Sequence, residues 1–284
     1  MITPFGADGI DYARMGRLLD FQAENGTKAI VVAGTTGEIA TLEAREYERL
    51  VDDTVRQTAG RMKVIVGVGG NNTARCVANA RLAARCGADA VLQTAPYYNK
   101  TTQEGLVAHF SRVADASTLP LILYNVPGRT AIGITAESYQ QLAAHPNING
   151  VKEASGDFSL IARIAAECGD ALFLWSGNDD NTLPMMALGA RGVVSVASNL
   201  VPAAVAALCG RCLSGDYPAA LALQKRYSAL FRALFYETNP IPVKAAMALC
   251  GMDSGRLRLP LVPMSEKNLA RLRESMVKLD LLPQ

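Results

Sequence analysis

Seven short, nearly unbroken apolar runs alternate with longer amphipathic runs along this chain, and that alternation narrows its fold more than any other feature. The apolar runs fall at 29–33, 64–68, 90–94, 121–124, 148–152, 172–175 and 193–196. A strand covered on both faces reads as a continuous apolar run, which is the mark of a parallel sheet. Helical patterns at 12–24, 43–58, 73–86, 104–116, 136–144, 159–168 and 182–188 separate the runs. Thr101 and Glu104 fit a capping box opening the fourth of these helices. Such strand–helix alternation predicts right-handed crossovers on a parallel sheet. A closed barrel needs one strand more, and Met1-Ile2-Thr3-Pro4-Phe5 reads as the tail of a shortened first strand. The predicted fold class is therefore α/β, a (β/α)8 barrel over residues 1–215. A helix at 203–213 closes its last repeat, and a helical extension over 216–284 follows, with helices at 217–236, 241–250 and 266–279. On pattern alone, an open doubly wound sheet is the alternative. The 284 residues, half of them hydrophobic, suffice for the core of one barrel.

Composition excludes several functions. Charged residues make up 19% of the chain and the net charge is +2, so no basic face is available to neutralise phosphates and no nucleic-acid partner is expected. The two histidines, His109 and His145, read as surface residues of helical segments, which leaves no metal site or histidine-based triad. Six cysteines are scattered, and Cys209 and Cys212 form one C-x-x-C in an alanine-rich helical run without a second pair. They read as small apolar residues, and with no secretory leader a reducing cytoplasm is the expected location. No run approaches the ~20 apolar residues that span a bilayer, so no membrane association is expected. Gly67-Val68-Gly69-Gly70 imitates a dinucleotide loop, but its third glycine is misplaced and the next strand ends Leu92-Gln93-Thr94 without an acidic residue for a ribose.

In a barrel, chemistry collects at the C-terminal strand ends. Those ends carry Gly34-Thr35-Thr36-Gly37-Glu38, Pro96-Tyr97-Tyr98-Asn99, Tyr124-Asn125-Val126-Pro127-Gly128-Arg129-Thr130, Lys152 and Ser176-Gly177-Asn178. Lys152 ends the run Ile148-Asn149-Gly150-Val151, and alternation places Ile148, Gly150 and Lys152 on one face, with Gly150 leaving room beneath the lysine stem. Desolvation disfavours an ammonium, and a neutral amine attacks a ketone to form an imine. The residue alone leaves open a lysine that snorkels to the rim or pairs with Glu153. Tyr124 ends the neighbouring strand, where a phenol can shuttle protons, and the glycine-bounded Thr35-Thr36 turn suits a carboxylate. Amine, proton shuttle and anion cradle together describe imine chemistry on a small keto acid.

In this order the motifs Gly34-Thr35-Thr36-Gly37-Glu38, Tyr97-Tyr98-Asn99-Lys100, Tyr124 to Thr130, Gly150-Val151-Lys152-Glu153-Ala154-Ser155-Gly156, Gly192-Val193-Val194-Ser195-Val196 and Glu237 to Lys244 resemble the dihydrodipicolinate synthase family of the N-acetylneuraminate lyase superfamily. The resemblance runs through nearly the whole chain. It implies a lyase of lysine and diaminopimelate biosynthesis that condenses pyruvate with L-aspartate-4-semialdehyde. No cofactor is implied beyond a covalent Schiff base of pyruvate on Lys152. Tyr124, Thr35 and Tyr98 would form a hydroxyl relay, with Tyr98 reaching in from a neighbouring subunit of a homotetramer built as a dimer of dimers. Thr36 would hold the pyruvate carboxylate, Gly177 and the Val194 carbonyl would border the imine, and Arg129 would clamp the semialdehyde carboxylate. Neuraminate-lyase-like 2-keto acid aldolases are the alternative; they usually lack that arginine and carry Gly-Ser-Thr-Gly-Glu in the first loop. The resemblance also implies a lysine-inhibitor site. Asn71 and Tyr97 match it, but Ala44, Tyr47 and Arg75 do not, and a cationic Arg75 predicts weak or absent feedback by lysine.

Overall fold

The computed structural model describes residues 1–283. The chain forms two compact units, one of Met1–Met62 with the residues from Ser195 onward, the other Lys63–Val194.

The first unit holds strand β1 (Ala29–Val32) and helices Tyr12–Glu24, Ala44–Thr58, Pro202–Leu213, Tyr217–Ala233, Ile241–Leu249 and Glu266–Val277. Local signals set several helix starts. The side chain of Asp11 accepts the Arg14 N–H at 2.9 Å, and Glu43 with Glu46 forms a reciprocal capping box. Helix Ile241–Leu249 is buried on most of its circumference and carries Lys244 inward with Val243 and Met247. Burial of side chains such as Leu19, Leu50 and Val243 stabilises the unit by roughly 1.5–3 kcal/mol each.

The second unit is a parallel sheet of β2 (Lys63–Gly67), β3 (Ala90–Thr94), β4 (Leu121–Asn125), β5 (Ile148–Glu153) and β6 (Phe173–Ser176), paired in sequence order. Helices Thr73–Arg85, Gln103–Ala116, Ala136–Ala143 and Phe158–Cys168 form the crossovers between successive strands. The register places Thr94, Tyr124, Lys152 and Trp175 side by side across β3 to β6.

Six of the eight expected strands are regular among the described residues. The first is not a ladder strand. The Met1 amino group donates to Val31 O at 2.7 Å, Ile2 N donates to the Asn199 side chain at 3.1 Å, and Thr3 Oγ1 donates to Gly37 O at 2.6 Å. At Ile2 a side chain thus does what a partner strand would do. The eighth is a single bridge, Ser176 with Val193, with Val194 N donating to Ser176 O at 2.8 Å. It ends there because the chain turns into a 3-10 helix at Ala197–Asn199, whose approach is fixed by the Ser195 hydroxyl accepting Ser198 N at 2.8 Å.

Three finer expectations need correction. The cap of helix Gln103–Ala116 is Thr102, not Thr101, and it accepts Gly105 N at 3.2 Å; Thr101 instead packs over Gly105, where a Cβ would meet its hydroxyl. His109 is buried rather than on the surface, with Nδ1 2.8 Å from the Thr73 hydroxyl, and burial lowers its pKa. The space beside Gly150 is filled by Trp175, whose Cζ3 would lie 2.6 Å from an added Cβ, so that glycine admits the indole and leaves no empty room under the lysine.

Candidate active site

The second unit brings Tyr124, Lys152 and Gly177 together at the C-terminal ends of β4, β5 and β6. Tyr124 and Lys152 are direct partners in the parallel ladder, so their side chains leave the same face. The Lys152 Nζ lies 4.1 Å from the centroid of the buried Tyr124 ring. Lys152 is half-buried and, among the described residues, has no ion-pair partner. Strand alternation turns Glu153 to the opposite face, away from the amine.

There Glu153, 1% exposed, is fully engaged. It accepts from Asn125 Nδ2 at 2.9 and 3.1 Å, from the Tyr139 hydroxyl at 2.9 Å and from Ser155 N at 2.7 Å. Burial, then the Glu153 charge and hydrogen bond, push the Tyr139 phenol well above its ordinary pKa, so it serves as a donor. The lysine is left against an aromatic face with no acidic partner, an arrangement suited to nucleophilic attack rather than to a structural ion pair.

Gly177 is a glycine because of its neighbours. An added Cβ would lie 2.5 Å from Ala154 Cβ and 3.2 Å from Lys152 Cε. Its N–H donates to Glu153 O at 2.8 Å, which fixes the turn against the strand carrying the lysine. Val194 lies in the last ladder bond beside Ser176. Arg129 is exposed, in the short helix Pro127–Thr130 that follows β4. Tyr98 is not brought to the others. It is 93% exposed and lies in the left-handed region at φ 69°. The Gly67 to Gly70 segment packs rather than binds, since a Cβ on Gly69 would lie 2.5 Å from Thr94 N.

Thr35 and Thr36 belong to the first unit. In their turn Gly37 N and Ile39 N donate to Gly34 O, and Glu38 N donates to Thr35 O, leaving the Thr35 and Thr36 N–H groups unspent within it. Asn239 Nδ2 donates to Thr36 Oγ1 at 2.9 Å, so the Thr36 hydroxyl hydrogen is free to point at an acceptor. Glu38, in the left-handed region at φ 55°, is held by an ion pair to the fully buried Lys244 at 2.5 Å and accepts Arg258 N at 3.1 Å. Burial lowers the Lys244 pKa, and the Glu38 charge opposes that shift. Lys244 also donates to Arg256 O at 2.8 Å. Sequence reasoning offered Glu153 only as an ion-pair partner for Lys152 and assigned no role to Asn125, Tyr139, Asn239 or Lys244. Period-2 alternation beside Lys152 was the signal for Glu153; the rest depend on helix placement.

The profile of the dihydrodipicolinate synthetase family matches residues 1–279. The chain belongs to that family. A 4-hydroxy-tetrahydrodipicolinate synthase from Thermoanaerobacter sp. strain X514 is 46% identical over 285 residues, covering 100% of this chain and 96% of the relative. The crystal structure of dihydrodipicolinate synthase from Aquifex aeolicus superposes with a TM-score of 0.97 at 43% identity, covering 99% of this chain and 96% of that one. A chloride-inhibited dihydrodipicolinate synthase from Acinetobacter baumannii, solved with pyruvate, has a TM-score of 0.97 at 37% identity and covers 99% of this chain and 97% of its own.

Proposed function

We propose that this chain is a lyase that condenses pyruvate with L-aspartate-4-semialdehyde to 4-hydroxy-tetrahydrodipicolinate, through an imine on Lys152 and without a cofactor. The observation that carries this reading is the Lys152 amine, 4.1 Å from the Tyr124 ring and free of an acidic partner because Glu153 is bound on the other face. The Lys152 nitrogen adds to the keto carbon of pyruvate, and the carbinolamine loses water with proton transfer by Tyr124, relayed through Thr35 and Tyr98. Thr36, oriented by Asn239, holds the pyruvate carboxylate. The imine draws electrons from the methyl group, which loses a proton to give an enamine. The enamine carbon attacks the aldehyde while Arg129 clamps the second carboxylate. The amino group of the condensed chain then attacks the imine carbon, closes the ring and releases Lys152. Gly177 keeps the lysine stem uncrowded, and the Val194 carbonyl borders the imine.

The exposed Tyr98 supports a relay completed across a subunit interface, in a homotetramer built as a dimer of dimers. Family membership supports an eight-stranded barrel with short first and last strands. No helix among the described residues is long and apolar enough to cross a membrane, and the scattered cysteines suit a reducing cytoplasm.

Borohydride reduction in the presence of pyruvate tests the reading. The expected result is a reduced pyruvyl adduct on Lys152, with turnover of aspartate semialdehyde and none of N-acetylneuraminate. Absence of the adduct would refute the imine, and turnover of N-acetylneuraminate alone would refute the substrate.

A further inference from the structure

The buried face behind Lys152 carries a polar device that the chemistry above does not use. Asn125, 0% exposed, is the ladder partner of Glu153 one residue beyond the Tyr124–Lys152 pair. Its Nδ2 donates to both Glu153 oxygens, at 2.9 and 3.1 Å, while its Oδ1 accepts Ile134 N at 3.1 Å. Asn125 is also where the segment 126–134 leaves β4, so one amide ties the far end of that segment to its own start. The segment carries Arg129, and further bonds hold it. Thr130 Oγ1 donates to Val126 O and Ile132 O at 3.2 and 2.7 Å, and Gln103 Nε2 donates to Gly133 O at 2.8 Å.

We propose that Asn125 and Glu153 are positioning residues for the second substrate: the Asn125 amide, polarised by the Glu153 carboxylate, clamps the base of the Arg129 loop to the strand tip that carries Lys152. The proposal rests on the reading that Arg129 receives the semialdehyde carboxylate. Its physical core is polarity. A carboxylate accepts only, so the NH2 of Asn125 must face Glu153 and its carbonyl must face the Ile134 N–H. The pair is buried, where a reversed or unmatched amide is costly and water cannot substitute. The same carboxylate therefore holds the loop geometry and keeps its charge away from Lys152, on the far side of the strand.

The test uses near-isosteric changes and one ratio, KM for aspartate semialdehyde over KM for pyruvate. Asn125→Asp faces two carboxylates, and Glu153→Gln faces two amide NH2 groups or flips Asn125 away from Ile134. Each is expected to raise the ratio about tenfold. The double variant N125D/E153Q reverses the polarity consistently. Its introduced amide donates to the introduced carboxylate, which still accepts from Ile134 N–H, and the ratio is expected to return to within about threefold of the parent. Tyr139→Phe removes another donor to Glu153 without touching the loop, and is expected to lower Tm and leave the ratio unmoved. A double variant as impaired as the worse single, or a ratio raised equally by Tyr139→Phe, overturns the proposal. Arg129→Ala separates the two layers. If it leaves the ratio unchanged, the reading of Arg129 fails and the clamp with it; if it raises the ratio while both single variants do not, the clamp alone fails.

Discussion

Gly177→Ala adds one methyl group at the point where the turn after β6 meets the nucleophile. The backbone there lies outside the left-handed region, so alanine meets no torsional penalty and the cost comes from contact alone. The new Cβ would lie 2.5 Å from Ala154 Cβ, which is about 1–1.5 Å inside the ~3.5–4.0 Å optimum for two carbons. It would also lie 3.2 Å from both Glu153 O and Lys152 Cε. Relief by spreading the chain stretches the Gly177 N to Glu153 O bond of 2.8 Å, and relief by swinging the lysine moves the amine off the Tyr124 ring. Overpacking of this kind costs about 1–3 kcal/mol of stability. A nucleophile displaced by on the order of 1 Å loses about 100-fold in rate. The expected result is a lower Tm together with a fall of about 10- to 100-fold in the rate of borohydride-trapped pyruvyl adduct on Lys152, followed by mass in single-turnover reactions. A variant that melts earlier yet forms the adduct at the parental rate would show that Gly177 packs the turn without setting the amine, and the reasoning would be wrong.

Lys152→Arg is expected to give no reduced pyruvyl adduct by mass, because a guanidinium does not become a neutral nucleophile; an adduct at another lysine with retained turnover would refute the assignment. Asn239→Asp makes the partner of Thr36 an acceptor, captures the Thr36 hydroxyl hydrogen and sets a negative charge beside the anion cradle. KM for pyruvate should rise about tenfold with little change in Tm, and a change below about twofold would remove Thr36 from carboxylate binding. The Arg258 guanidinium, bonded to Glu46 at 2.6 and 2.5 Å, holds the Glu46 carboxyl below its ordinary pKa. Because the folded value is the lower one, the stabilisation is present above about pH 4.3 and is lost as pH falls through the folded value. Glu46→Gln should therefore cost ~1 kcal/mol at pH 7 and flatten the fall in Tm on acidification, read by calorimetry across that range. Lysine at low millimolar concentration should leave initial rates unchanged, since the exposed Arg75 opposes an ammonium; clear inhibition would refute this.

The regular part of the fold was legible because strands that pair on both sides are mostly apolar. Residues 90–94 open with Ala90-Val91-Leu92 and form β3 over that same span. The ends of the sheet were harder, for a physical reason. Ile2 N donates to the Asn199 side chain, Val196 O accepts from the Asn199 amide and Ser195 O accepts from the Ser198 hydroxyl, side-chain contacts that pattern cannot foresee. The helix cap slipped by one residue because Thr101 and Thr102 are both good caps, and only the absence of a Cβ on Gly105 decides where Thr101 rests.

For the site, matched strand ends were enough to bring Tyr124 and Lys152 close, but they could not say why the lysine lacks an acidic partner. That depends on Glu153 being satisfied elsewhere, and the satisfaction comes from three different elements: Asn125 on β4, Tyr139 on helix Ala136–Ala143 and the Ser155 N–H in the following turn. Remove those donors and the nearest favourable ion would be the lysine on the same strand, at the cost of the nucleophile. The sequence neighbours Lys152 and Glu153 are thus kept apart twice, by the pleat that sends them to opposite faces and by a buried donor set that makes returning unfavourable. A lone lysine at a strand tip is ambiguous in sequence because only the first of these is periodic; the second is tertiary, and it is the one that leaves the amine available for chemistry.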